Sequence, residues 1–146
     1  MTNLLRFDHW TPQKISEAAK KYRETALATY DAVANAQTVS VGTVIAPLHE
    51  HSFKGYVDNV NLEFLQHVSP DPEIREASVA ADKEISEFEV TQSMRVDLFR
   101  KFQELEEISI KNEDAETQRF LERQLREGRR NGLHLDEKVI LRNFQV

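Results

Sequence analysis

Apolar residues recur at helical spacing along most of the chain, and a few turn residues interrupt the recurrence. Ile15, Ala18, Ala19, Tyr22, Ala26, Tyr30 and Val33, with Thr29 beside them, return every three or four positions. That spacing predicts an amphipathic helix. Thr11 followed by Pro12 predicts its start, because threonine can cap the helix and proline at the first helical position gives up no needed hydrogen bond. Glu17 with Lys21 and Lys20 with Glu24 stand i,i+4 along it. The pattern fades over residues 35–38. Val39-Ser40-Val41-Gly42 reads as a short extended linker, and a second helix opens near Thr43, where Pro47 is tolerable only close to the start. Leu48, Phe53, Tyr56, Val57, Val60, Phe64 and Leu65 continue its apolar side.

Ser69-Pro70-Asp71-Pro72 is the clearest punctuation in the chain. A residue before proline leaves the α region, and Asp71 before Pro72 is a natural helix cap. Next comes the longest periodic run: Ile74, Ala77, Ala81, Ile85, Phe88, Met94, Leu98, Phe102, Leu105 and Ile108. Neither glycine nor proline occurs between Glu73 and Glu127. This predicts one long helix whose stripe must be buried against the first two. Lys111-Asn112-Glu113-Asp114 is a polar turn, and Asp114 can cap a shorter helix carrying Phe120, Leu121 and Leu125. Gly128 or Gly132 ends it, Asn131-Gly132 being a turn dipeptide. Asp136 can cap a last helix with Val139, Ile140 and Phe144 on its inner side.

The predicted fold is therefore all-α, with four or five helices arranged as long antiparallel neighbours. Residues 1–10 form a lead-in whose Leu4, Leu5, Phe7 and Trp10 are apolar enough to pack. Residues 11–146 form a helical domain. Its closing Asn-Phe-Gln-Val reads either as a chain cut within a larger unit or as a natural end docked by its own side chains.

Composition narrows the function classes. The 146 residues are 40% hydrophobic and 30% charged, which permits a globular chain. Acidic residues outnumber basic ones, 25 to 19, and the net charge of -6 argues against nonspecific nucleic-acid binding. With no cysteine, disulfides, thiolate metal sites and thiol catalysis are excluded. The N-terminus lacks the basic and apolar regions of a signal peptide. No stretch approaches the roughly 18 apolar residues of a membrane helix. A cytoplasmic location follows as the expectation, with neither membrane nor nucleic acid as partner.

No residue is assigned a catalytic, cofactor-binding or metal-binding role. His49-Glu50-His51 opens like a zinc motif, but a zincin needs histidines at i and i+4, and the fourth position after His49 is Phe53. On a helix, His49 and His51 point about 200° apart. His67 precedes a helix end, where an imidazolium suits the dipole. Glu84, Glu87, Glu104, Glu106 and Glu107 read as a solvated face, with Lys83–Glu87 and Arg100–Glu104 as i,i+4 pairs. Arg119, Arg123, Arg126, Arg129 and Arg130 form the densest basic run, interrupted by Glu116, Glu122 and Glu127, and read chiefly as scaffold salt bridges, including Glu122–Arg126. Ser52, Ser69 and Ser78 have no G-x-S-x-G elbow, and the four scattered glycines form neither a P-loop nor a dinucleotide fingerprint.

Two segments carry a family signal. One is Phe64-Leu65-Gln66-His67-Val68-Ser69-Pro70-Asp71-Pro72-Glu73-Ile74-Arg75-Glu76-Ala77-Ser78, continuing through Ala81-Asp82-Lys83-Glu84-Ile85-Ser86-Glu87-Phe88 to Ser93-Met94-Arg95. The other is Gly128-Arg129-Arg130-Asn131-Gly132-Leu133-His134-Leu135. In this order and separation they resemble the N-terminal region of the zinc metallopeptidase family of thimet oligopeptidase, neurolysin and saccharolysin. The resemblance covers essentially all of this chain and about the first fifth of such an enzyme. It implies a helical scaffold in which residues 64–95 form the long helix and residues 129–135 a connection packing the next one. It also implies a parent activity of cleaving short peptides, with zinc held by an HExxH motif and a distant glutamate. Neither is found here, so no family site residue transfers, no cofactor belongs to this chain, and the chain alone is expected to be inactive. The implied partners are the missing C-terminal catalytic region or a full-length relative. The alternative is a non-catalytic helical interaction module that binds peptides or such a relative.

Overall fold

The computed structural model describes residues 9–109 and 113–135. They form five helices: α1 (Pro12–Ala34), α2 (Val41–Val68), α3 (Pro72–Ser93), α4 (Val96–Ser109) and α5 (Ala115–Arg130). The fold is all-α. The expected packing of Leu4, Leu5 and Phe7, the turn residues Lys111 and Asn112, and the helix expected after Asp136 lie outside the described residues.

Polar caps start α1, α3 and α5 where the sequence placed them. The Lys14 amide donates to Thr11 Oγ1 at 3.3 Å, and the Glu73 amide to Asp71 Oδ1 at 2.9 Å. Asp114 takes the Glu116 and Thr117 amides at 2.9 and 3.0 Å and the Thr117 hydroxyl at 2.7 Å. Each amide hydrogen bond satisfies a backbone donor that the first helical turn leaves open. Helix α2 begins two residues before Thr43. Ser40 and Thr43 cap each other there: the Thr43 amide donates to Ser40 Oγ at 3.2 Å, and the Ser40 amide to Thr43 Oγ1 at 3.0 Å. Gly42 is thus helical, and Pro47 sits within the second turn.

The single long helix expected after Pro72 is two helices. The Met94 and Arg95 amides bond three residues back, to Thr91 and Gln92 carbonyls, which tightens and ends α3. The Arg95 guanidinium holds Asp97 Oδ2 and Asp31 Oδ1, each at 2.6 Å. The break was visible in the stripe itself: Phe88 to Met94 is a step of six, and the positions that would continue the phase are the polar Thr91 and Gln92. No glycine or proline is needed when the apolar face changes phase. The span 64–95 likewise holds the end of α2, a turn and α3 rather than one helix.

The chain divides into two compact units. One comprises residues 1–29 and 48–90, the other residues 30–47 and 91–146. In the first, Ile15 and Ala19 of α1, Leu62 and Leu65 of α2, and Ala81 and Ile85 of α3 form the buried core, flanked by the partly buried Trp10, Tyr22, Ile74 and Ala77. In the second, Val33, Val44, Ile45, Leu98, Phe99, Phe102, Leu105, Leu121, Leu125 and Leu133 are buried. The start of α4 meets the end of α5, so these two run antiparallel. On α2 the inward residues are Val44, Ile45, Leu48, Leu62 and Leu65, whereas Phe53, Val60 and Phe64 face outward. That helix is apolar on several sides, so its periodicity does not choose a face.

Candidate functional site

The chemistry-bearing residues do not converge. His49 and Glu50 are exposed on α2, and Glu50 pairs with Lys54 at 2.6 Å. The Lys54 hydrogen bond holds the Glu50 carboxyl below its usual range. His51 is half-buried, its ring 5.2 Å from that of Tyr22. Burial lowers its pKa, and the nearby Glu89 charge opposes that shift. Tyr22 donates its hydroxyl to Glu89 at 2.8 Å. So the histidine nearest to a zinc pattern is turned into the α1–α2–α3 packing, and its neighbour His49 is not. Among the described residues, no three His, Asp or Glu side chains gather as ligands for a metal. The donor set does not fit a zinc ion. Nor is any helix of the described residues long and apolar enough to cross a membrane.

The remaining candidates divide in the same way. Glu84, Glu87, Glu104, Glu106 and Glu107 are exposed, as is His67. Glu84 accepts from Arg23 at 2.8 Å, joining α3 to α1. Glu104 pairs with Lys101, not with Arg100. In the arginine run, Arg123 pairs with Glu127 at 2.9 Å and Arg129 with Glu106 at 3.2 Å. The expected Glu122–Arg126 pair is absent among the described residues.

Ser78 is fully buried. Its hydroxyl donates to the Leu62 carbonyl and accepts from the Gln66 amide, the latter at 3.0 Å. One α3 side chain thus reaches the two backbone groups of a single α2 rung, which fixes the register of the pair. Arg75 clasps the turn between these helices, donating to the Ser69 and Pro70 carbonyls at 2.8 and 3.0 Å. Neither role could be read from the sequence, because buried serine and surface serine look alike there.

The second block, residues 128–135, closes α5. The Gly132 amide bonds to the Arg129 carbonyl and the Leu133 amide to the Gly128 carbonyl, the Schellman pattern. Gly132 takes φ +79, which favours glycine, and Leu133 is buried. Gly128, inside the helix, lies flat against the Phe99 ring: a Cβ there would stand 2.3 Å from it. Of the two glycines that could end this helix, Gly132 is the one, and Gly128 serves packing.

The class defined by this geometry is an all-α scaffold without a metal centre among its described residues. Compared with known proteins, the chain is 30% identical over 132 residues to saccharolysin of Saccharomyces cerevisiae, a match covering 88% of this chain and 18% of that protein. The similarity is a distant homology to the saccharolysin-like peptidases, and the chain spans less than a fifth of the relative's length. No family model matches the chain. The two blocks that carry the resemblance contain Asp71, Ser78, Arg95, Gly128 and Gly132, residues that cap, clasp, pack or terminate helices.

Proposed function

We propose that this chain is the N-terminal helical scaffold of a saccharolysin-like zinc oligopeptidase and is inactive by itself. The observation that carries the reading is the 30% identity to saccharolysin along 132 residues. It gains weight because Asp71, Ser78, Arg95, Gly128 and Gly132, within the resembling blocks, have structural duties. In the family, zinc held by an HExxH motif would supply Lewis-acid chemistry toward the peptide carbonyl. This chain has no HExxH, so that chemistry belongs to a catalytic region acting as its partner, and peptides are substrates of the whole enzyme only. A cytoplasmic location accords with that role.

The test is hydrolysis of an internally quenched peptide by the purified 146-residue chain, with and without added zinc. The expected rate equals the buffer blank in both. Zinc-dependent turnover that survives repurification and follows the protein peak would overturn the reading.

A second reading, a non-catalytic interaction module, is favoured by one observation: Phe53 is 83% exposed on the outward side of α2, which also carries the exposed Val60 and Phe64. Apolar groups so displayed mark contact surfaces when they form a patch. It predicts that Phe53→Ser sharply reduces peptide capture by the chain while leaving its helicity intact.

A further inference from the structure

The outward face of α5 carries a row of four guanidinium groups, three of which have no ion-pair or hydrogen-bond partner among the described residues. Leu121, Leu125 and Gly128 form the buried face of this helix. At about 100° per residue, Arg119, Arg123, Arg126 and Arg130 fall within roughly 60° of arc on the opposite side, along about 16 Å of helix. All four are exposed. Arg123 is paired with Glu127. Arg119, Arg126 and Arg130 have no ion-pair or hydrogen-bond partner among the described residues. Arg23, Arg75, Arg95 and Arg129, by contrast, are all engaged with carboxylates or carbonyls. An arginine row in a chain of net charge -6 is a local reversal of sign.

We infer that this row docks an acidic helical segment of a partner protein. A guanidinium presents a planar fork that matches a carboxylate in two parallel hydrogen bonds. The spacing of four, three and four residues is that of one helix face, so a second helix with glutamates at the same intervals can answer each arginine. The row is one side chain wide. Glu116 and Glu127 border it on one side and Glu122 on the other. A polyphosphate backbone crossing the helix would meet those carboxylates, whereas an acidic helix with basic flanks complements them. The inference is independent of the oligopeptidase reading, since it uses only α5.

The experiment is fluorescence anisotropy with a labelled alanine-based helical peptide carrying glutamates at i, i+4, i+7 and i+11. An isomer of the same composition has its glutamates spread around the helix. The 146-residue chain should bind the first peptide at least about tenfold more tightly than the isomer, with binding that weakens as salt screens it. Arg119→Gln/Arg126→Gln/Arg130→Gln should lose about tenfold or more, while Lys20→Gln/Lys21→Gln/Lys83→Gln changes binding less than about twofold. Circular dichroism checks that the helices persist. If the triple variant loses them, Arg126→Gln alone should weaken binding by about threefold. No binding, equal binding of the isomer, equal binding by the arginine variants, or tighter binding of a single-stranded RNA of equal charge would each overturn the inference.

Discussion

Two close approaches between helices show how differently the two units are built. In the unit holding α4 and α5, Gly128 lets a backbone lie on the Phe99 ring, and Phe99 is only 2% exposed. In the unit holding most of α1, α2 and α3, Gly55 does the same for Tyr22, with a built Cβ 2.9 Å from its ring. Tyr22, however, is half-buried and reaches outward to Glu89. The first contact is closed off from solvent. The second has a polar edge with room to yield. A glycine is thus indispensable where its neighbour is locked, and only convenient where its neighbour can turn.

The largest effect that tests this contrast is Gly128→Ala. Helix propensity alone would favour alanine by about 1 kcal/mol. A methyl 2.3 Å from a locked ring outweighs that gain, and overpacking of this kind costs about 3 kcal/mol. Urea unfolding should show the loss, partly recovered in Gly128→Ala/Phe99→Leu. A neutral result would mean that Phe99 moves freely and that the two contacts are alike.

Next is Ser78→Ala, which removes the hydroxyl joining α3 to the Leu62–Gln66 rung. A buried hydrogen bond of this kind is worth about 1 to 1.5 kcal/mol, to be read as a fall in the urea midpoint. Gly132→Ala should cost about 1 kcal/mol, because alanine does not favour positive φ. Its loss should appear first as faster amide exchange at Leu133.

A smaller, pH-dependent effect belongs to the polar edge. His51 titrates near 6.5 when unfolded, and burial holds it lower in the folded chain. Between those two values the unfolded state binds more protons. The stability that this histidine contributes is therefore complete above about 6.5 and declines as pH falls through the folded value. Comparing urea midpoints at pH 7.5 and 5.5 should show a smaller drop in His51→Gln than in the parent. Smallest of all is Gly55→Ala, where the turning of Tyr22 and the gain in helix propensity offset each other to within about 0.5 kcal/mol.

The sequence disclosed those features that depend on residue type at a fixed offset. Thr11-Pro12, Asp71-Pro72 and Asp114 start helices as read, because a cap is local chemistry. The break at Met94 was written as a change of apolar phase and was hidden by the absence of glycine and proline. The face of α2 was not legible, since that helix is apolar in several directions and only its neighbours select Leu62 and Leu65 over Phe64. Ser78 and Gly128 were opaque for a related reason: burial and close approach arise from partners distant in the chain. The candidate metal pattern at His49 and His51 was rejected by spacing alone. The structure adds where those side chains go, one to solvent and one beside Tyr22.

Thermal unfolding of the 146-residue chain, followed by circular dichroism at 222 nm in a chelator and again with excess zinc, tests most directly whether this is a scaffold that folds without a metal. A resident zinc would raise the midpoint, because a ligand that binds only the folded chain stabilises it by RT ln(1 + [L]/Kd). One cooperative helical transition with the same midpoint in both conditions is the expected result. A midpoint raised by several degrees in zinc, and lost again in His49→Ala or His51→Ala, would contradict it.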